Sequence, residues 1–257
     1  MRIKAPFSYY GGKSKIAHLY PKPEYRLIIE PFAGSGAYSW LHRDGHDVHV
    51  NDLDPKTFSM WQFLTSDEAS NLIQYLPDTV EPGMKVSEML GDLGRVYPGF
   101  LEVCRAEANQ GTQGARGVHD QITSMGAKCW KVRRKLEHVI PAVANWKVTN
   151  VDYQQLPDVE ATWFIDPPYQ NPAGARYRQS AIDYTALAAW CRSRRGQVIV
   201  CENAGANWLD FQPMAHPRVS IRSLYQKADA REVIWTNDPQ PHGIPLVCNG
   251  LDEWIPL

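Results

Sequence analysis

No stretch of this chain approaches the ~20 consecutive apolar residues needed to span a bilayer, and the opening Met1-Arg2-Ile3-Lys4 leads into no apolar leader. Neither a membrane nor a secretory route is expected. The five cysteines, Cys104, Cys129, Cys191, Cys201 and Cys248, have no metal-ligand spacing and are odd in number. They read as reduced thiols inside a cell rather than as a zinc site or a disulfide framework. There are no internal repeats and no low-complexity tracts. Charge of one sign is also lacking, since the formal net charge is only -1, so the surface has no uniform basic coat. What is present is 44% hydrophobic and 21% charged residues over 257 positions. That composition and length predict one large soluble domain with a packed core, or one domain carrying a sizeable insertion.

Charge is nevertheless uneven along the chain. Between Cys104 and Asn150 the basic residues Arg105, Arg116, Lys128, Lys131, Arg133, Arg134, Lys135 and Lys147 face only Glu107, Asp120 and Glu137. A local basic face of this kind is what phosphate contact requires, whatever the total charge. Residues 128–140 read as a basic helix whose apolar stripe is Cys129, Val132, Leu136, Val139 and Ile140. A solvated amphipathic helix would look the same; on the functional reading it is a helix that contacts phosphates on an inserted domain.

Near the start, Phe7-Ser8-Tyr9-Tyr10-Gly11-Gly12-Lys13 suggests a loop whose backbone approaches something flat or anionic, or an arm whose tyrosines pack on the core. Residues 14–19 read as a helix closed by Pro21 and Pro23. Residues 26–30 read as a short buried strand that ends in Glu30 and enters Pro31-Phe32-Ala33-Gly34-Ser35-Gly36, followed by a helical stretch at 37–41. Strand, glycine turn and helix open a nucleotide-binding α/β unit, and the glycines admit a ligand that a Cβ would block. A second strand at 46–50 runs into Asn51-Asp52, and Asp52 stands about twenty residues beyond the turn, where such folds set a carboxylate against ribose hydroxyls. Gly36 is followed by Ala37-Tyr38 and not by a Walker lysine, so a triphosphate is not expected. An acidic strand end, Glu30, beside that turn suits a positively charged or zwitterionic cofactor.

From position 56 the α/β rhythm stops. Residues 58–76 and 86–90 read as helical, whereas 107–113 and 114–117 are polar and glycine-rich and read as a mobile loop. The rhythm resumes with a strand at 146–149, whose end carries Asp152 and Tyr153; these could bracket a cofactor adenine or face solvent. Residues 162–165 are a buried strand running straight into Asp166-Pro167-Pro168-Tyr169. The prolines fix φ and remove two donors, and the aspartate and aromatic ring beside them could hold a flat, amine-bearing ring. A stiff turn is the plainer explanation of the same four residues. A polar loop at 170–179, a helix ending near 195 and a strand at 197–201 follow. Residues 218–225 and 231–236, flanking 226–230, read as a late hairpin.

In this order, the loop at 9–13, the turn at 30–36, Asn51-Asp52 and Asp166-Pro167-Pro168-Tyr169 resemble the Dam-like family of DNA adenine methyltransferases. The resemblance covers the N-terminal quarter and roughly positions 148–236. It implies a class I methyltransferase fold, an α/β Rossmann-like domain with a mostly parallel seven-stranded sheet and one late antiparallel strand. The implied cofactor is S-adenosylmethionine, with no metal, and the implied partner is double-stranded DNA. By that likeness Tyr9 (often tryptophan in the family) and Lys13 lie near cofactor and active site. Phe32, Gly34 and Gly36 form the cofactor loop, Asp52 takes the ribose, and Asp166, Pro167, Pro168 and Tyr169 form the catalytic loop. Asp166 also counts among the cofactor residues, with Glu30, Asp152 and Tyr153. The implied organisation is a catalytic domain over 1–57 and 147–257, interrupted by a mainly helical target-recognition domain over 58–146. Arg116, Lys131, Arg133, Arg134 and Lys135 are the DNA-contact candidates. The setting implied is the cytoplasm of a bacterial or phage-infected cell, with room for a monomer and for a companion restriction enzyme.

The residues fit this chemistry on their own terms. An adenine amine is a poor nucleophile because its lone pair is delocalised into the ring. Asp166 and the Pro167 carbonyl can each accept one amine hydrogen and free that lone pair. Tyr169 can stack on a base that has left the duplex. The same geometry would serve cytosine-N4 methylation, although that group more often carries Ser before Pro-Pro. An inactive DNA-binding relative, or a methyltransferase acting on RNA or a small molecule, would also carry parts of this pattern.

Overall fold

A computed structural model describes residues 5–108, 120–122, 128–172, 174–214 and 232–237. Seven strands make one sheet: β1 (Leu27–Glu30), β2 (Asp47–Asn51), β3 (Lys147–Thr149), β4 (Ala161–Ile165), β5 (Gly196–Asn203), β6 (Gln212–Pro213) and β7 (Glu232–Thr236), in the order β3-β2-β1-β4-β5-β7-β6. All pairings from β3 across to β5 are parallel, while β7 runs antiparallel to both β5 and β6. Parallel strands are covered on both faces and so read as continuous apolar runs. All five residues of β4 are buried, as are six of the eight in β5. This is the expected α/β class I methyltransferase architecture, with its late antiparallel strand.

The helices are α1 (Ala37–His42), α2 (Pro55–Leu64), α3 (Ala69–Leu72), α4 (Val86–Leu90), α5 (Asp92–Val96), α6 (Pro98–Ala108), α7 (Cys129–Val143) and α8 (Tyr184–Ser193). Those from α2 to α7 lie between β2 and β3 in sequence, and they share one apolar cluster with Phe7, Val48, Val50 and Trp146. Asp54 caps α2 by accepting from the Lys56 amide, and Pro55 supplies the preset φ of the first turn. Further along that helix, Phe63 stacks on Phe100 of α6 with ring centroids 4.9 Å apart. A second cluster packs α8 against the sheet through Trp163, Leu187 and Trp190.

Four local readings change. Residues 14–19 make only a 3-10 turn, Ala17–Leu19, because Pro21 and Pro23 follow too closely for a helix to continue. The stretch 58–76 begins earlier, at Pro55, and breaks after Leu64, where the Thr65 amide and hydroxyl both donate to the Trp61 carbonyl; helical turns resume at Ala69–Leu72 and Ile73–Tyr75. Glu107 and Ala108 belong to α6 rather than to a loop, and the rest of 107–117 lies outside the described residues. Helices α5 and α6 went unpredicted, since Pro98, Gly99 and a buried Glu102 disguise the apolar face. The strand read at 231–236 is β7; its predicted partner at 218–225 and the turn 226–230 lie outside the described residues, and so do Cys248 and the tail from 238. Cys104, Cys129, Cys191 and Cys201 are buried thiols, none of them in a disulfide. No described helix is long and apolar enough to cross a membrane.

Candidate active site

The C-terminal ends of β1, β2 and β4 open onto one cleft of about 810 Å³, part of it open to solvent. Its floor is the turn after β1. Gly34 and Gly36 adopt φ of +49° and +60°, the left-handed region that side chains resist. A Cβ on Gly34 would lie 2.8 Å from the Tyr9 ring, and one on Gly36 2.9 Å from Trp61. The turn is pinned from below by the Trp61 indole, which donates to the Gly34 carbonyl at 2.9 Å. Gly36 then starts α1.

Asp52, just past β2, accepts from the Gly34 amide through one oxygen and from the Asp54 amide through the other, both at 2.9 Å. Glu30, at the end of β1, accepts from the Ser39 amide at 2.7 Å. Burial pushes both carboxyls up to about 7, against these amide bonds, which pull the other way. Two carboxyls poised near neutrality at a glycine turn make a cradle for a ligand with hydroxyl and cationic groups.

Asp166, just past β4, meets Lys13 of the N-terminal loop, whose ammonium sits 2.6 and 2.8 Å from the two carboxylate oxygens. Burial raises the Asp166 carboxyl and Lys13 opposes that rise. Burial alone would lower the Lys13 ammonium, yet Asp166 and then Glu232 outweigh it and hold it well above the ordinary lysine value. The two groups form an ion pair in which each offsets part of the other's desolvation. The same ammonium lies 4.7 Å over the Tyr169 ring and 3.7 Å from Glu232. Tyr169 and Tyr20 both donate their hydroxyls to Glu232, the latter at 2.6 Å. Tyr184 donates to the Pro168 carbonyl at 2.7 Å, and the Gln170 amide donates to Glu202 at 3.2 Å, so the loop is held on both sides.

Of the residues singled out from sequence, Tyr9, Lys13, Glu30, Phe32, Gly34, Asp52, Asp166 and Pro168 line this cleft. Gly36, Pro167, Tyr169, Asp152 and Tyr153 are not among its lining residues. Asp152 accepts from the Gln154 amide and caps a short turn, and Tyr153 is buried between Phe32 and Trp190. Sequence reasoning missed Tyr177 and Arg178, which also line the cleft. The Tyr177 hydroxyl donates to the Tyr10 carbonyl at 3.1 Å, and Arg178 pairs with Asp54 at 3.1 Å. It also missed Tyr20, Glu202 and Glu232; strand ends carrying a glutamate are too common to signal a site by themselves.

Helix α7 carries the basic candidates. Lys131 and Arg134 are exposed, and Lys131 leans on the exposed Trp130 ring at 5.5 Å. Arg133 instead pairs with Asp78 at 3.1 Å, and Lys135 pairs with Glu107 at 2.8 Å. Glu107 also accepts from the Ser8 amide, tying this helix to the N-terminal loop. Arg116 lies outside the described residues.

Comparison with known families adds one match. Residues 9–88 fit the family described as D12 class N6 adenine-specific DNA methyltransferase. The matched span holds the 9–13 loop, the glycine turn and Asp52, and it ends before Asp166. No curated protein matches the chain.

Proposed function

Starting from the D12 class N6 adenine-specific DNA methyltransferase domain that this chain carries, we propose that it methylates the exocyclic N6 amine of an adenine turned out of double-stranded DNA, at specific sites. The observation that carries this reading is the placement of Asp166. Its carboxylate opens into the same cleft as the Gly34 turn and Asp52, so an amine held there would face a ligand cradled on the turn.

S-Adenosylmethionine, when bound, supplies the electrophilic methyl group. The cleft suits it on three counts: left-handed glycines that admit close approach, Asp52 for the ribose, and Glu30 for a cationic end. Phe32 and Tyr9 offer aromatic surface beside the turn. On the substrate side, Asp166 and the Pro167 carbonyl accept the two amine hydrogens, which draws the nitrogen out of conjugation and exposes its lone pair. Tyr169 offers its ring to the base, compensating part of the few kcal/mol lost on unstacking. Tyr153, whose ring packs on Phe32 at 5.5 Å, is proposed to position that ring, with Asp152 capping the short turn that carries Tyr153.

The helical segment over 58–146 is proposed as the target-recognition region, interrupting a catalytic domain at 1–57 and 147–257. Within it, Lys131 and Arg134 are the residues proposed to meet phosphates, because their charges are exposed. Arg133 and Lys135 serve first to hold α7 in place. The test is Asp166→Ala. Methyl transfer should fall below detection while S-adenosylmethionine binding survives; normal turnover in that variant refutes the mechanism.

A further inference from the structure

We infer that Glu232 is a positioning residue for this reaction, the carboxylate that receives the Lys13 ammonium when Asp166 turns to a base amine. The inference rests on the reading of Asp166 as the acceptor for the target amine. As the protein stands, Lys13 occupies both surfaces a base would use. Its ammonium contacts both Asp166 oxygens, at 2.6 and 2.8 Å, and lies over the Tyr169 ring. A buried ammonium does not leave one carboxylate unless another takes it. Glu232 is that second carboxylate, already 3.7 Å away.

Topology explains why it is there. Strands β1, β2 and β4 reach the cleft with their C-terminal ends, whereas β7 runs against β5 and so brings its first residue to the same edge. Glu232 pairs in register with Asn203, the last residue of β5. Two phenols then fix its carboxylate: the Tyr20 and Tyr169 hydroxyls both donate to Oε1, the oxygen 3.7 Å from the Lys13 ammonium, using about half of the four acceptor sites a carboxylate offers, so the ammonium would be received at Oε2. When the amine nitrogen bonds to the methyl group, the methyl–sulfur bond breaks with its electron pair staying on sulfur; the positive charge that passes to the nitrogen is met by Asp166, freed of the ammonium, and the amine then sheds one proton to solvent.

Single-turnover methyl transfer to duplex DNA and equilibrium binding of S-adenosylmethionine test the role in Glu232→Gln, Lys13→Gln and the double variant. Glu232→Gln is expected to bind S-adenosylmethionine within about twofold of wild type while transferring methyl about tenfold more slowly or worse. Added to Lys13→Gln it should cost nothing further, because Glu232 acts through that lysine. A wild-type rate in Glu232→Gln, or losses that multiply in the double variant, overturns the inference. Should Glu232→Gln not fold, Glu232→Asp decides. Its carboxylate is drawn back by one methylene, so slowed transfer with intact cofactor binding supports the role and an unchanged rate overturns it. A wild-type protein that methylates no adenine would instead refute the underlying reading, so the two failures are separable.

Discussion

Lys13 is bonded to both oxygens of the half-buried Asp166 and opposes the rise that burial imposes on its carboxyl. Among the described residues no cation is bonded in that way to Glu30 or Asp52, and burial carries both to about 7. That difference has a measurable consequence. A cationic ligand favours their ionised forms, so its binding should release protons near neutrality and its affinity should fall as pH drops through 7. Calorimetry of S-adenosylmethionine binding at pH 6 and pH 8, in buffers of different ionisation enthalpy, checks this; equal affinity and no proton release would contradict it. Stability without ligand has the opposite slope. Carboxyls raised in the folded state favour folding below about pH 4 and lose that contribution as pH climbs through 7. At this scale, Asp52, Lys13 and Asp166 were legible in the sequence because each sits in a short motif at a strand end or in a glycine loop. Glu232 was not, because its place in the site depends on antiparallel pairing with β5 rather than on its neighbours in sequence.

Among the elements, the glycine turn and α7 separate structural from functional demands. Gly34→Ala must adopt a left-handed backbone and also push a Cβ to 2.8 Å from the Tyr9 ring, whereas Gly45→Ala meets only the backbone penalty, having nothing within 4 Å. The strain alone costs about 1–2 kcal/mol. Chemical denaturation should therefore show Gly34→Ala more destabilised than Gly45→Ala, with cofactor binding weakened only in the former. On α7, replacing Lys131 and Arg134 by Ala should flatten the salt dependence of DNA binding by about one log–log unit per lost contact. Lys135→Ala should instead lower the melting temperature, since it breaks the pair with Glu107 that tethers the helix to Ser8. An unchanged salt slope would make the exposed pair an ordinary solvated face. The strands β1, β4 and β5 were legible as apolar runs because both of their faces are buried, and β2 as valines alternating with polar residues. The two-residue β6 and the polar-dotted α6 were not, since neither carries a periodic signal long enough to stand out.

Across the whole molecule, the sheet order collects groups that are far apart in sequence onto one edge. The N-terminal loop supplies Lys13, β1 leads to the glycine turn, β2 to Asp52, β4 to Asp166, and the reversed β7 brings Glu232. The helices between β2 and β3 share a core with that sheet, so a DNA-contacting face on α7 would be held rigidly relative to the cleft. The central claim is that this edge transfers a methyl group to an adenine amine. It is tested most directly by incubating duplex DNA with the protein and labelled S-adenosylmethionine, digesting the DNA to nucleosides and separating them. Label in N6-methyldeoxyadenosine is the predicted result; label in N4-methyldeoxycytidine, or in no nucleoside, would contradict it.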